Sequence, residues 1–565
     1  MEDFFSAQRD TRPKEQQYFN ISWCARFDLP NFTPTTLYIG FSRLPNKCCQ
    51  QQITFPFPGE MDIRIPFLAF FFLALLKLIR SYVTPSRAKP SSALRQPPGP
   101  WQLPLVGSLH HLLLSRFRDL PHRALLEMSG TYGPVMLLRL GSVPTLVVSS
   151  AEAAREVMKT HDLTFCNRHV SATIDIISCG GKDIVFSAYN QHWRELRKLC
   201  MLELFNQRRV LSFRPIREEE VANLLHSISG ECGGGRPFNV SDGICHTIND
   251  IAVRTVIGDR CRYQDEYLRD LDEVLRLIAG FNLADLYPSS PLVRRFSAAV
   301  RDIARCQKNL YRIIESIIQE RAVMPTPERD EDLLDVLLRL QREGGLQFAV
   351  TNELVSTVIF DIFAAGSETS STVLVWAMSE LVKNPRVMRK AQAEVRETFK
   401  GQDKLTEGDM VKLRYLHLVI KEALRLHAPV PLLVPRECRE ACQVMGYDVP
   451  RGTKVIVNVW AIARDNEFWH DGEEFRPERF DGSSIDFRGN DFQFTPFGAG
   501  RRICPGITLG LANAELLLAS LLYHFDWELP DGANSEELDM AEASGMTLRR
   551  KSTLWLKAKP HINVL

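Results

Sequence analysis

Hydrophobic and polar positions divide the chain into a front end without sustained periodicity and a long body of helical repeats. Residues 1–60 are polar and irregular. Apolar residues then run from Ile65 to Leu76, and on to Ile79 if Lys77 extends its ammonium to a lipid–water interface. This is short against the roughly 20 residues of a typical membrane helix, so a signal-peptide core or a buried core helix is the alternative. No small-residue cleavage site follows, and an uncleaved anchor over 61–80 is therefore expected. Arg80, Arg87, Lys89 and Arg95 come next and predict that the C-terminal bulk stays on the cytoplasmic side. Met61 has the look of a natural start, because such an anchor normally sits at the extreme N-terminus. Residues 1–60 are accordingly expected to be an extension outside the native protein.

Pro97, Pro98, Pro100 and Pro104 surround Gly99, and proline restricts both itself and the residue before it. Residues 81–104 thus read as a stiff hinge. The body, 105–565, is mostly helical in pattern with a few strand-like stretches. "PVMLLRLGSVPTLVVSS" predicts a hairpin turning near Gly141-Ser142, and "TKVIVNVWAIA" a later strand. "ECGGGRPF" (Glu231–Phe238) and "AVMPTPERDED" (Ala322–Asp332) read as loops. Val355–Pro385 is apolar nearly all round before its polar end, the signature of a helix through the middle of a large protein. With no internal repeat, the expectation is one large, mainly α domain with minor β-sheets.

Composition narrows the function classes. Lys and Arg number 69 against 68 Asp and Glu, so no global field points to a nucleic-acid partner. Hydrophobic residues at 45% and charged residues at 24% suit a globular protein with a substantial core. The 13 cysteines are scattered and odd in number, unlike a disulfide scaffold or a zinc ribbon, and favour a reducing compartment.

One cysteine stands apart. In "FTPFGAGRRICPG" (Phe494–Gly506), Cys504 follows a glycine-rich turn and two arginines, with no neighbouring base that would make it a nucleophile. Taken alone it would be an inert buried thiol. Yet glycines let the backbone approach a bulky flat group, backbone N–H groups can point at sulfur, and a bound metal keeps a thiol deprotonated. That combination suits an iron ligand.

The stretch "PFGAGRRICPG" resembles the haem-binding loop of the cytochrome P-450 superfamily, with Phe497, Gly500, Cys504 and Gly506 at its anchor positions. Glu422 and Arg425 in "KEALRLHAPVPLL" resemble the Glu-x-x-Arg pair, which shares one helix face, and Arg479 in "FRPERF" resembles the third member of a buried network that braces the cysteine loop. "AAGSET" resembles the oxygen-activation motif. Gly366 would leave room above iron, Thr369 would bond back to the i−4 carbonyl and loosen the helix, and Glu368 with Thr369 would relay protons. Trp193 and Arg197 in "HWRELRK" resemble residues that meet a haem propionate, with Arg436 as a further propionate contact and Arg502 serving propionate or reductase docking. His192 and Lys198 add to a basic docking surface. The matches occur in family order over 61–565, and phrases such as "PPGPWQLPLVGSLHHL" look most like plant microsomal members of the family-71 group.

The resemblance implies haem b with an axial Cys504 thiolate, dioxygen as co-substrate and NADPH electrons through a separate cytochrome P-450 reductase, with cytochrome b5 as an optional second donor. It also implies an endoplasmic reticulum membrane location, the catalytic domain facing the cytoplasm. An oxygen-independent peroxide isomerase or dehydratase of the same fold, or a haem-binding sensor, are the rival readings; the first typically lacks the acid–threonine pair found here. By analogy, the substrate pocket is expected from His169–Phe186, Phe360–Ala365, Ala428–Pro435 and Ala543–Leu548. Their apolar character suits a hydrophobic small molecule. Similarity of "IREEEVANLL" and "CRYQDEYLRDLDEVL" to grass members that oxidise terpenoids favours a terpene hydrocarbon.

Overall fold

The computed structural model describes residues 95–562, apart from 233–234, 280, 324–330, 345–347, 403 and 544. The expected extension over 1–60, the anchor over 61–80 and the first part of the hinge lie outside the described residues. Five helices position the site: α1 (Gln191–Leu199), α2 (Val240–Ile257), α3 (Asn352–Lys383), α4 (Arg414–Leu426) and α5 (Ile507–His524). Helix α3 begins where the Thr351 side chain accepts the Leu354 amide and ends before Pro385, which opens the following helix at its first turn. Its apolar surface on all sides finds partners in α2, α4 and α5, so the predicted central helix is there, starting three residues earlier than expected and ending at Lys383. Helices α3 and α5 are long and apolar enough to cross a membrane, but most of that surface is buried against protein. They are core helices. The main core joins Leu374, Met378 and Leu381 of α3 to Leu416 and Val419 of α4 and Leu517 and Leu521 of α5.

The larger sheet takes its strands from distant parts of the chain. β1 (Val135–Leu140) and β2 (Val143–Val148) form the expected antiparallel hairpin, with Leu140 opposite Val143. Gly141 turns it at φ 63°, and a Cβ there would lie 2.6 Å from the Leu286 carbonyl oxygen. β3 (Asn167–Arg168), β4 (Arg436–Glu437) and β7 (Lys454–Val457) complete the order β1-β2-β7-β4-β3, with β7 parallel to β2. β5 (Cys442–Val444) and β6 (Tyr447–Val449) form a separate antiparallel pair. The strand expected through "TKVIVNVWAIA" stops at Val457. The Asn458 side chain accepts the Ala461 amide and starts a short helix, Val459–Ile462, so local capping ends the extended run. A smaller sheet pairs Trp555–Pro560 with Phe238–Asn239 and Phe525–Glu528.

The described end of the proline segment is bound to this body. Leu137 N–H donates to the Pro98 carbonyl at 2.9 Å, and a Cβ on Gly99 would come within 2.1 Å of the Leu137 oxygen. Only glycine lets the chain lie so close to β1.

Candidate active site

The loop around Cys504 is shaped by two residues in left-handed conformation, Gly498 (φ 70°) and Gly500 (φ 66°). A Cβ on Gly500 would sit 2.3 Å from the Met158 carbonyl oxygen and 2.6 Å from Asp162 Oδ1. Asp162 holds the same turn by accepting the Arg501 amide at 3.0 Å. Gly500 therefore shapes the loop against its support and does not line the cavity that Cys504 faces. The Cys504 amide donates to the Phe497 carbonyl at 3.0 Å, closing the loop, and α5 starts directly after Gly506. A Cβ on Gly506 would meet only the Cys504 sulfur, at 4.0 Å, so its missing side chain leaves free space beside the thiol. Burial pushes the Cys504 thiol up, while the Gly506 N–H and the Arg197 guanidinium pull it down.

Between this loop and α3 lies a cavity of about 280 Å³. Cys504, Phe497 and Gly506 line it, as do Ala365, Gly366 and Thr369 from α3. Four guanidinium groups also line it: Arg168, Arg197, Arg436 and Arg502. Arg197, on α1, donates to the Ile503 carbonyl at 2.6 Å, tying its helix to the residue before Cys504. Arg436 donates to Asp162 at 3.1 Å and to the Ala499 carbonyl at 2.7 Å. Arg502 donates to the Cys166 and Ser187 carbonyls at 2.7 and 2.5 Å and lies 4.1 Å over the Trp193 ring, yet its buried Nη1 has no protein partner. Burial lowers the pKa of Arg502 to about 10. Arg501 instead points outward, to the Tyr189 hydroxyl. The two adjacent arginines thus divide, one inside and one at the surface.

Among the described lining residues the only carboxylate is Asp361. Four buried or half-buried cations with one orphan N–H donor call for anionic oxygens, since an unpaired buried donor is costly. Haem carries two propionates, so the donor set fits it: a soft sulfur ligand, a glycine-cleared space beside it and a cluster of guanidinium groups. Trp193 is arranged differently from its expected part. Its indole N–H donates to the Ile184 carbonyl at 2.9 Å, and its ring supports Arg502.

The Glu422–Arg425–Arg479 network is wholly assembled. Arg425 meets both oxygens of Glu422 at 2.8 Å, and Arg479 Nε meets one at 2.8 Å. The remaining donors go to carbonyls of Ala463, His470, Asp471, Gly472 and Glu474. The network grips the segment before the cysteine loop; from there Trp469 packs edge-on against Phe494 at 6.2 Å and donates to the Gln493 carbonyl. Trp469 thus links the gripped segment to Phe494 at the start of the cysteine loop.

On α3, the Thr369 hydroxyl donates to the Ala365 carbonyl at 2.7 Å, and a Cβ on Gly366 would meet nothing within 4 Å. The helix is nevertheless continuous there, without the opened turn that was expected. Glu368 is turned away from the cavity by its place in the helix. Its Oε1 accepts from Thr547 at 2.8 Å and from Arg549, which also reaches Asp272. Cavity walls come from Ile184 and Val185, from Ile362 and Ala365, and from Val430 and Leu433, within three of the four expected segments, and from Val358, which lies outside them. None of the described residues of Ala543–Leu548 lines it.

Sequence reasoning missed the hub at 183–187. The Ile184, Val185 and Ser187 carbonyls receive Trp193, Arg168 and Arg502, while the Ile184 amide donates to Asp361 at 2.8 Å. Burial raises Asp183 to about 7, and burial with the nearby Asp183 charge raises Asp361. Asp361 had a signal, a lone carboxylate inside the apolar run "VSTVIFDIFAAG". Arg168, in a two-residue strand, had none.

The family model for cytochrome P-450 matches residues 97–556. The chain is similar to zealexin A1 synthase of Zea mays, with 50% identity over 87% of this chain and 96% of that protein. It is 49% identical to dolabradiene monooxygenase of Zea mays over 86% of this chain and 97% of that protein. Among solved structures, a zebra fish cytochrome P-450 with abiraterone matches with a TM-score of 0.67 at 26% identity, over 79% of this chain and all of that one.

Proposed function

This chain belongs to the cytochrome P-450 family, as a haem-thiolate monooxygenase acting with a redox partner on a hydrophobic substrate, and from that premise we propose that it oxidises a terpenoid hydrocarbon. The observation that carries the reading is one cavity bounded by Cys504, by Thr369 and by apolar walls. A hydrocarbon needs no polar recognition, and such a pocket selects by shape. Relatives named for dolabradiene and ent-cassadiene oxidation, 49% and 48% identical, support the substrate class.

We assign Cys504 as the residue whose thiolate would hold the haem iron, with Phe497 and Gly506 lining the cavity beside it and Gly500 setting the loop. Arg502, Arg197, Arg436 and Arg168 hold the propionates, Trp193 supporting Arg502 from behind. Haem held there by the Cys504 thiolate would supply dioxygen activation, with one oxygen atom going to the product and the other to water. Gly366 would keep the α3 side of the cavity free of side-chain bulk. Thr369 holds a proton at the cavity through its hydroxyl, and Glu368, paired with Arg549, replenishes protons from the outer side of α3. Glu422, Arg425 and Arg479 keep the ligand loop in register. We further assign residues 61–80 as an endoplasmic reticulum anchor and 105–565 as the cytoplasm-facing catalytic domain, with NADPH–cytochrome P-450 reductase as the electron donor and cytochrome b5 as an auxiliary one. Residues 81–104 link the two, and 1–60 stand outside the working enzyme.

The test is a membrane preparation with reductase, NADPH and ¹⁸O₂, presented with terpene hydrocarbon and phenolic libraries and read by mass spectrometry. A terpene product carrying one ¹⁸O is expected. Turnover of phenolics alone, with an intact haem spectrum, would reject the substrate class.

A further inference from the structure

Cys438 and Cys442 stand outside the catalytic machinery and outside every motif discussed above. Cys438 follows β4 and is fully buried; Cys442 opens β5 and is partly accessible. Cys438 N–H donates to the Thr453 carbonyl and its carbonyl accepts the Gly452 amide, so its backbone is fixed. Its sulfur lies 3.8 Å from the Val449 carbonyl oxygen, and Val449 is the cross-strand partner of Cys442. Directly opposed residues in an antiparallel pair sit about 4.5–5.5 Å apart at Cα. The Cys438 sulfur thus touches the residue directly opposite Cys442, while its own proton goes to the Glu440 carbonyl at 2.9 Å. The neighbouring Cys438 side chain holds the Cys442 thiol below its usual range, against the effect of burial.

We propose that Cys438 and Cys442 form a dithiol that hydrogen peroxide closes, reversibly, to a disulfide. The accessible Cys442 thiolate attacks one peroxide oxygen, the O–O bond breaks, and hydroxide leaves; Cys442 becomes a sulfenic acid. The Cys438 sulfur then attacks the Cys442 sulfur, the S–O bond breaks, and the Cys438 proton leaves with the oxygen as water. In sum, two thiols and one peroxide give one disulfide and two waters, and a dithiol reductant reverses the step. Any monooxygenase whose electron delivery outruns substrate oxidation releases peroxide, so the oxidant arises in the same protein. The position also matters. Cys438 lies two residues beyond Arg436, which spans Asp162 and the Ala499 carbonyl at the edge of the Cys504 loop.

Tryptic mapping of the holoenzyme tests this, because cleavage after Arg436, Arg439 and Arg451 puts the two cysteines in separate peptides, 437–439 and 440–451. After graded peroxide and alkylation of the remaining thiols, the two peptides are expected joined, two hydrogens lighter than the separate pair, and released by dithiothreitol. Cys438→Ser should leave a dimedone-reactive sulfenic acid on Cys442, and Cys442→Ser should leave Cys438 fully alkylatable. The haem spectrum reports whether each variant is folded; if a serine variant loses haem, the wild-type map decides alone. Two alkylatable thiols after a peroxide exposure that oxidises glutathione would overturn the proposal. Passage of Cys442 to sulfinic acid with Cys438 still free would do so equally.

Discussion

Replacing Glu422 by Gln removes one charge from a site where every neighbour was placed for it. Glu422 accepts both bonds from Arg425 at 2.8 Å, one from Arg479 and one from the Arg476 amide, each at 2.8 Å. Its side chain and that of Arg425 are wholly buried, and Arg479 is nearly so. An amide keeps one acceptor oxygen but turns NH₂ donors towards guanidinium donors, leaving two buried cations without a counter-charge. Breaking a buried pair from one side costs about 3–5 kcal/mol, a large fraction of the roughly 5–15 kcal/mol that holds a domain together. The damage should travel. Arg425 and Arg479 also clamp the 463–474 carbonyls, and Trp469 of that segment packs on Phe494 at the start of the cysteine loop. Urea unfolding of the holoprotein should therefore show a stability loss of about 3 kcal/mol or more, and the reduced carbon monoxide spectrum should lose its thiolate band in parallel. A Glu422→Gln protein within about 1 kcal/mol of wild type, with its thiolate band intact, would refute the bracing role.

Other perturbations address separate parts of the site. Gly500→Ala places a methyl 2.3 Å from the Met158 oxygen at φ 66°; the left-handed conformation alone costs about 1–2 kcal/mol, and haem incorporation on expression should fall sharply. Thr369→Ala should leave haem bound while NADPH consumption shifts from product to peroxide, and unchanged coupling would remove Thr369 from the proton path. Asp183 is held at about 7, above the usual carboxylate value near 4. Its stabilising contribution is therefore present below about pH 4 and lost as pH rises towards 7. Asp183→Asn should flatten the stability profile of the holoenzyme between those limits, and an unchanged profile would show that the Asp183–Asp361 pair does not titrate there.

Legibility followed locality. The cysteine loop, the Glu422–Arg425 pair and the Thr369 back-bond are each set within a few residues by helix or turn geometry, so their spacing already carried the information. The β1–β2 hairpin was legible for the same reason, its Gly141 turn lying between two apolar alternations. What escaped depends on packing between distant segments. Arg168 reaches the cavity only because β3 pairs with β4, which sets it opposite Arg436, 268 positions later. Glu368 and Thr369 are adjacent in sequence, but a helical step of about 100° and the arrival of Thr547 and Arg549 send them to different surroundings. The inward turn of Arg502 and the outward turn of Arg501 were likewise settled by the carbonyls of Cys166 and Ser187, which no local pattern places there.

The reduced carbon monoxide difference spectrum of Cys504→Ala beside the wild-type protein tests most directly whether Cys504 is the haem ligand. The wild type should show the band diagnostic of thiolate ligation, and the variant should lack it even where the arginine cluster still retains haem. A thiolate band preserved in the variant would rule Cys504 out as the ligand.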